Sequence, residues 1–130
     1  MPSFSRASIV NLESCHSDLQ RVLNTAIQWF DFAVICGHRG EVAQTEAFLK
    51  GASKLEWPNS MHNEVPSMAV DVIPYPVDWK DEKRFGLMVG RIMQVADEMG
   101  VLLRWGGDWD RDTMTRDQYF HDLPHLELVR

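Results

Sequence analysis

The chain has 130 residues, 45% of them hydrophobic and 25% charged, which is enough length for one self-sufficient apolar core and a balance that excludes disordered and fibrous classes. Its formal charge of −6 at pH 7 argues against nucleic acid as a partner, because that affinity comes largely from Lys and Arg displacing counterions. No apolar run approaches the roughly 18 residues that span a bilayer, so no membrane insertion is expected, and Met1 to Glu13 lacks the apolar stretch of a secretory signal. The chain is therefore expected to be made in the cytoplasm.

The first expected helix opens on a capping box at Ser17-Asp18-Leu19-Gln20, and Leu19, Val22, Leu23, Ala26, Ile27 and Phe30 then recur at helical spacing. Phe32 to Cys36 is short, continuously apolar, β-branched at Val34 and Ile35, and closed by Gly37, which predicts a buried strand. Cys36 within it, and Cys15 before it, are expected to be free thiols. A second helix is predicted over Glu41 to Lys50, with Val42, Phe48 and Leu49 inward and Gly51 ending it in the left-handed conformation.

After a polar loop from Ala52 to Pro66, Ser67 to Tyr75 reads as a strand with Ala69, Asp71 and Ile73 on one face and Val70 and Val72 on the other. Pro74 and Pro76 end it. Asp78 is placed to cap a long helix through Glu98, in which Phe85, Met88, Val89, Ile92, Ala96 and Met99 keep the helical rhythm and Gly100 is the stop signal. Val101 to Trp105 and His125 to Val129 are further strand candidates, separated by a loop rich in Gly, Asp and Arg that carries Trp109. The order α, β, α, β, α, β, β predicts an α+β fold: a small, mostly antiparallel sheet packed with about three helices, in a single domain over residues 1–130.

Histidines and carboxylates carry the chemistry. A catalytic zinc ion takes three protein ligands from His, Asp or Glu and keeps a fourth position open, and His62, Asp71 and His125 would supply such a set, sited on the sheet. Asp122, three residues before His125, is the candidate general base. Plainer assignments stand beside these: a solvated loop histidine for His62, a turn residue for Asp122, an ion pair with Arg39 for Asp71, and core packing for Trp105 and Trp109. His16, His38 and His121 stay unassigned.

Four ordered pieces of the chain are shared with a known family. Ser60-x-His62 followed by Ala69-x-Asp71 matches its first signature, and Asp122-x-x-His125 its second; Trp105-Gly106-Gly107-Asp108-Trp109 precedes the second, and Arg39 with Gln44 forms an Arg-x-x-x-x-Gln element upstream. On these pieces, from about Ser17 to Leu128, the chain resembles the zinc peptidases that include D-alanyl-D-alanine carboxypeptidases and the L-alanyl-D-glutamate endopeptidases of bacteriophage endolysins. The stretch between His62 and Asp71 is longer than the family's commonest form and has Pro66-Ser67 in place of the turn glycine; continued as Ala69-Val70-Asp71-Val72-x-Pro74-Tyr75-Pro76, it is similar to a phage and prophage variant.

The resemblance implies one Zn²⁺ per chain on His62, Asp71 and His125, Asp122 as the base, Arg39 as the cation for the developing oxyanion, and Ser60, Gln44, Trp105 and Trp109 at the substrate. It implies cleavage of the L-alanyl-D-glutamate bond of the peptidoglycan stem peptide, with D-alanyl-D-alanine carboxypeptidase action as the alternative. A non-catalytic zinc domain that binds wall peptide is a third reading, disfavoured because Asp122 is present. Without a secretory signal, an endolysin of this kind would need a pore-forming phage partner to reach the wall.

Overall fold

The computed structural model describes residues 2–114 and 122–129. Its elements in chain order are α1 (Arg6–Glu13), α2 (Ser17–Ala26), β1 (Phe32–Cys36), α3 (Glu41–Leu49), a 3₁₀ turn (Met61–Asn63), β2 (Ala69–Pro74), α4 (Glu82–Met99), β3 (Leu103–Gly106) and β4 (Asp122–Leu128). The four strands form one sheet in the order β1-β2-β4-β3, with every neighbouring pair antiparallel. This is the expected α+β architecture, with four α-helices among the described residues where about three were predicted. Among the described residues no helix is long and apolar enough to cross a membrane.

Strand alternation divides the sheet into two functions. Val70 and Val72 of β2, Leu126 and Leu128 of β4 and Leu103 of β3 join the apolar core, which Leu19, Val22 and Leu23 of α2 and Phe85, Met88 and Ile92 of α4 complete. The intervening positions, Asp71 of β2, His125 and Glu127 of β4 and Arg104 of β3, fall on the other face, and the register sets Asp71 opposite His125 and Glu127 opposite Arg104.

Several local expectations are corrected. The N-cap of α2 is His16, whose Nδ1 accepts from the Asp18 amide at 3.0 Å, and the Gln20 side chain donates to the Cys15 carbonyl instead of closing a box with Ser17. The long helix starts at Glu82 under an Asp81 cap, while Asp78 accepts from the Lys80 amide in the preceding turn. Val42 and Leu49 of α3 point outward, 74% and 77% exposed, because the inward position belongs to Gln44, the one buried residue of that helix. Gly51 and Gly100 do take positive φ at the ends of α3 and α4. Both cysteines are free thiols.

The unpredicted helix α1 lies against β1 and the turn that follows it. Its C-terminal cap, Ser14, donates through Oγ to the Asn11 carbonyl at 2.6 Å and accepts from the His38 amide at 2.8 Å. Ser67 ties the loop before β2 to the same place, donating its amide to the Ser14 carbonyl at 2.9 Å and accepting the His16 amide at 2.9 Å.

Candidate functional site

Three chain segments bring their polar side chains to one point above the sheet. Asp71 stands in β2 directly opposite His125 of β4, with His125 Nδ1 3.4 Å from Asp71 Oδ1. His62 arrives from the loop on the 3₁₀ turn, where Ser60 Oγ accepts from the His62 amide and Asn63 Oδ1 accepts from the Ser60 amide, a reciprocal cap that fixes the turn. His62 Nε2 lies 3.2 Å from the same Asp71 oxygen. The two imidazole centroids are 5.1 Å apart.

Each imidazole is held at its far nitrogen by an acceptor. The Gly37 carbonyl lies 2.7 Å from His62 Nδ1, and Glu127 Oε1 lies 2.7 Å from His125 Nε2. A proton on each far nitrogen leaves the lone pairs of His62 Nε2 and His125 Nδ1 facing the Asp71 carboxylate. Two imidazole nitrogens and a carboxylate oxygen so converged, beside an open cleft, are a donor set that fits a catalytic zinc ion.

The electrostatics express the crowding of these groups. Burial by itself would depress the pKa of His62, but hydrogen bonds to Asp71 and the Cys36 thiol push it up to about 10. Burial would raise the Asp71 carboxyl, yet its bonds to His125 and His62 hold it well below the usual carboxylate range. Asp122 is raised, by burial first and by the charge of Asp71 second. Its Oδ2 lies 3.9 Å from His125 Nδ1.

A cleft of about 340 Å³ opens over these groups, with Arg39, Lys54, Trp79 and Trp109 among its walls. The Trp109 ring lies 5.3 Å from that of His125. Arg39 reaches Asp71 Oδ2 with Nη2 at 3.4 Å and Gln44 Oε1 with Nη1 at 3.0 Å, and its amide donates to the His62 carbonyl at 2.8 Å. The plainer assignment of Asp71 to an ion pair with Arg39 is thus part of the same arrangement as the two histidines.

A profile of the family described as phage L-alanyl-D-glutamate peptidase matches residues 2–129. The chain belongs to that family. A related L-alanyl-D-glutamate peptidase of Escherichia phage T5 is 29% identical over 136 residues, covering 97% of each chain. The crystal structure of the Serratia marcescens L-Ala D-Glu endopeptidase ChiX superposes with a TM-score of 0.77 at 28% identity, covering 98% of this chain and 90% of that one.

Within this phage L-alanyl-D-glutamate peptidase fold, His62, Asp71, His125, Asp122, Arg39, Ser60 and Trp109 all come to the one cleft. Gln44 does not: it is fully buried, and its amide is engaged by Arg39, Asn63, Ser53 and the Leu55 carbonyl, so it braces Arg39 from behind. Trp105 is turned away as well. Alternation along β3 puts it on the side of Leu126, where Nε1 donates to the Leu123 carbonyl at 2.7 Å. The glycines beside it serve close approach, since a Cβ on Gly106 would run into the Asp122 backbone and one on Gly107 into the Trp105 ring. Asp108 shapes the Trp109 loop by accepting the Asp112 and Thr113 amides. His121 lies outside the described residues.

Several neighbours of the site were missed from sequence, Glu127, Trp79 and Cys36 among them. Glu127 was readable in principle, as the polar residue two positions after His125 and therefore on its face. Trp79 follows the proline-rich end of β2 and carries no distinguishing motif. Cys36 forms a candidate metal-ligating cluster with His62 and Asp71, alongside the cluster of Asp71, Asp122 and His125. Its sulfur lies 3.9 Å from His62 Nδ1, the nitrogen that faces Gly37, so it sits behind the imidazole that Asp71 meets from the front.

Proposed function

We propose that this peptidoglycan peptidase hydrolyses the L-alanyl-D-glutamate bond of the stem peptide with one zinc ion held by His62, Asp71 and His125. The observation that carries this reading is the convergence of His62 Nε2 and His125 Nδ1 on Asp71 Oδ1, each imidazole braced from behind. Zinc, when bound, supplies Lewis acidity, polarising a carbonyl and acidifying water. Asp122 takes the proton of the attacking water and returns it to the leaving amine of D-glutamate. Arg39 adds positive charge where the oxyanion develops, with its guanidinium held in place by Gln44. Trp109 and Ser60 line the cleft in which the peptide is seated. The biological role is that of an endolysin made inside a bacterial host, acting on the wall once a pore-forming phage partner lets it through.

Metal analysis and fragment mass spectrometry test the proposal. The native chain should hold one zinc and release peptides with a free D-glutamate amine from purified peptidoglycan. A His62→Ala/His125→Ala variant should lose both properties, and full zinc content in that variant would remove the proposed site.

A further inference from the structure

The geometry points to Arg104 and Glu127 as the pair that decides which nitrogen of His125 carries the proton, and thereby presents Nδ1 to the metal. This inference rests on zinc binding by His62, Asp71 and His125. Glu127 and His125 share a face of β4, and Arg104 lies directly across on β3. Arg104 donates to Glu127 Oε2 through Nη2 at 2.7 Å and Nε at 3.3 Å, while Glu127 Oε1 lies 2.7 Å from His125 Nε2. Glu127 is buried, 6% exposed, so water does not compete freely for its oxygens.

The polarity of this chain of bonds follows from donor chemistry. A guanidinium only donates and a carboxylate only accepts. With Arg104 on Oε2, the remaining oxygen fits a proton on His125 Nε2, and a neutral imidazole protonated there carries its lone pair on Nδ1, the atom that faces Asp71 and Asp122. Arg104 and Glu127 are therefore positioning residues; neither lies among the walls of the cleft.

An amide at position 127 exposes the part played by Arg104. In Glu127→Gln, Arg104 claims the amide oxygen and turns the NH₂ group toward His125 Nε2, which must then accept, forcing the proton onto the metal-facing nitrogen. Removing the guanidinium in Glu127→Gln/Arg104→Met lets the amide flip back. Zinc affinity, measured by competition with a chelator on folded chains, should fall roughly 10–100-fold in the single variant and recover most of that loss in the double one.

Native affinity in Glu127→Gln, or an equal loss in the single and double variants, would overturn the inference. A native chain that takes up no zinc would overturn the zinc reading itself, a separate result that takes this inference with it. Should Glu127→Gln fail to fold, nitrogen NMR of the zinc-loaded native chain decides: a proton on His125 Nε2 is expected, and an unprotonated Nε2 refutes the assignment.

Discussion

Replacing Gly37 with alanine drives a methyl group into the Asn11 carbonyl oxygen and the Ser14 hydroxyl, with the Cys15 sulfur next at 3.1 Å. None of these can step aside cheaply, because Asn11 and Ser14 end α1 and are bonded to one another. Overpacking of this kind costs typically about 1–3 kcal/mol. With an unfolding entropy of about 2.1 cal/mol/K per residue over 130 residues, the entropy at the midpoint is roughly 0.27 kcal/mol/K, so a loss of ~2 kcal/mol lowers Tm by about 7 °C. The same shift moves the Gly37 carbonyl that holds His62 Nδ1, and disturbing an outer partner of a metal-binding histidine typically weakens metal affinity by about 10–100-fold. Calorimetry and chelator competition read the two effects separately. Gly90→Ala is the control: nothing lies within 4 Å of its added Cβ, and alanine is favoured over glycine inside a helix by roughly 0.5–1 kcal/mol, so its Tm should rise. A Gly37→Ala chain with native Tm and native zinc affinity would refute the argument that this contact braces the site.

Asp122→Asn should keep zinc and fold but lose on the order of 10²–10⁴-fold in turnover; near-native hydrolysis with zinc bound would assign the base elsewhere. Leu126→Ala, which empties a fully buried position on the core face beneath His125, should cost about 2–5 kcal/mol by denaturant unfolding, and a loss under about 1 kcal/mol would show that the core does not close there as described. The metal-free chain should lose stability as pH rises. His62 is held charged up to about 10 against an ordinary value of about 6.5, so its contribution is whole below pH ~6.5 and drains away toward pH ~10. Asp71, whose pKa is lowered, acts in the opposite sense: its contribution is present above the ordinary carboxylate range and is lost only in acid. The zinc-loaded chain, with His62 unable to hold that proton, should show no such alkaline decline, and parallel melting profiles for the two forms would contradict this account.

The elements with a strong apolar rhythm were legible. α2, α4 and the strands carry residues whose spacing matches their burial, and Asp71 and His125 fall on paired strands whose alternation turns both to one face. Helix α1 was not legible because it buries only Ser8 and Leu12, while Ile9 and Val10 face solvent at 43% and 62% exposure, so no apolar stripe marks it. The facing of α3 was misjudged for the complementary reason: its inward residue is a glutamine whose amide is satisfied by side chains and carbonyls from other segments, a fact absent from local pattern. The motif pairs Trp105 with Trp109 at the substrate, but Trp105 lies within β3 on the side of Leu126, while Trp109 follows in the turn beyond the strand and reaches the cleft. Glu127 went unseen because a single acid in an alternating strand looks like a solvated side chain until the opposite arginine is known.

The three proposed zinc ligands are anchored unevenly, and that unevenness sets an expected order of events for metal release. Asp71 and His125 sit on paired strands in the middle of the sheet, where amide hydrogens exchange only through large-scale opening. His62 hangs on a loop tied by a serine cap, by the Arg39 and Met68 amides, by the Asn63 side-chain amide on the Arg39 carbonyl and Gln44, and by the Gly37 carbonyl at its ring. Openings of the loop are far more frequent than those of the sheet, so the ion should leave by way of His62, with dissociation tracking exchange at the Arg39 and Met68 amides rather than at Asp71 or His125. The residence time of the metal is then a local property of the loop, adjustable there without touching the stability of the fold.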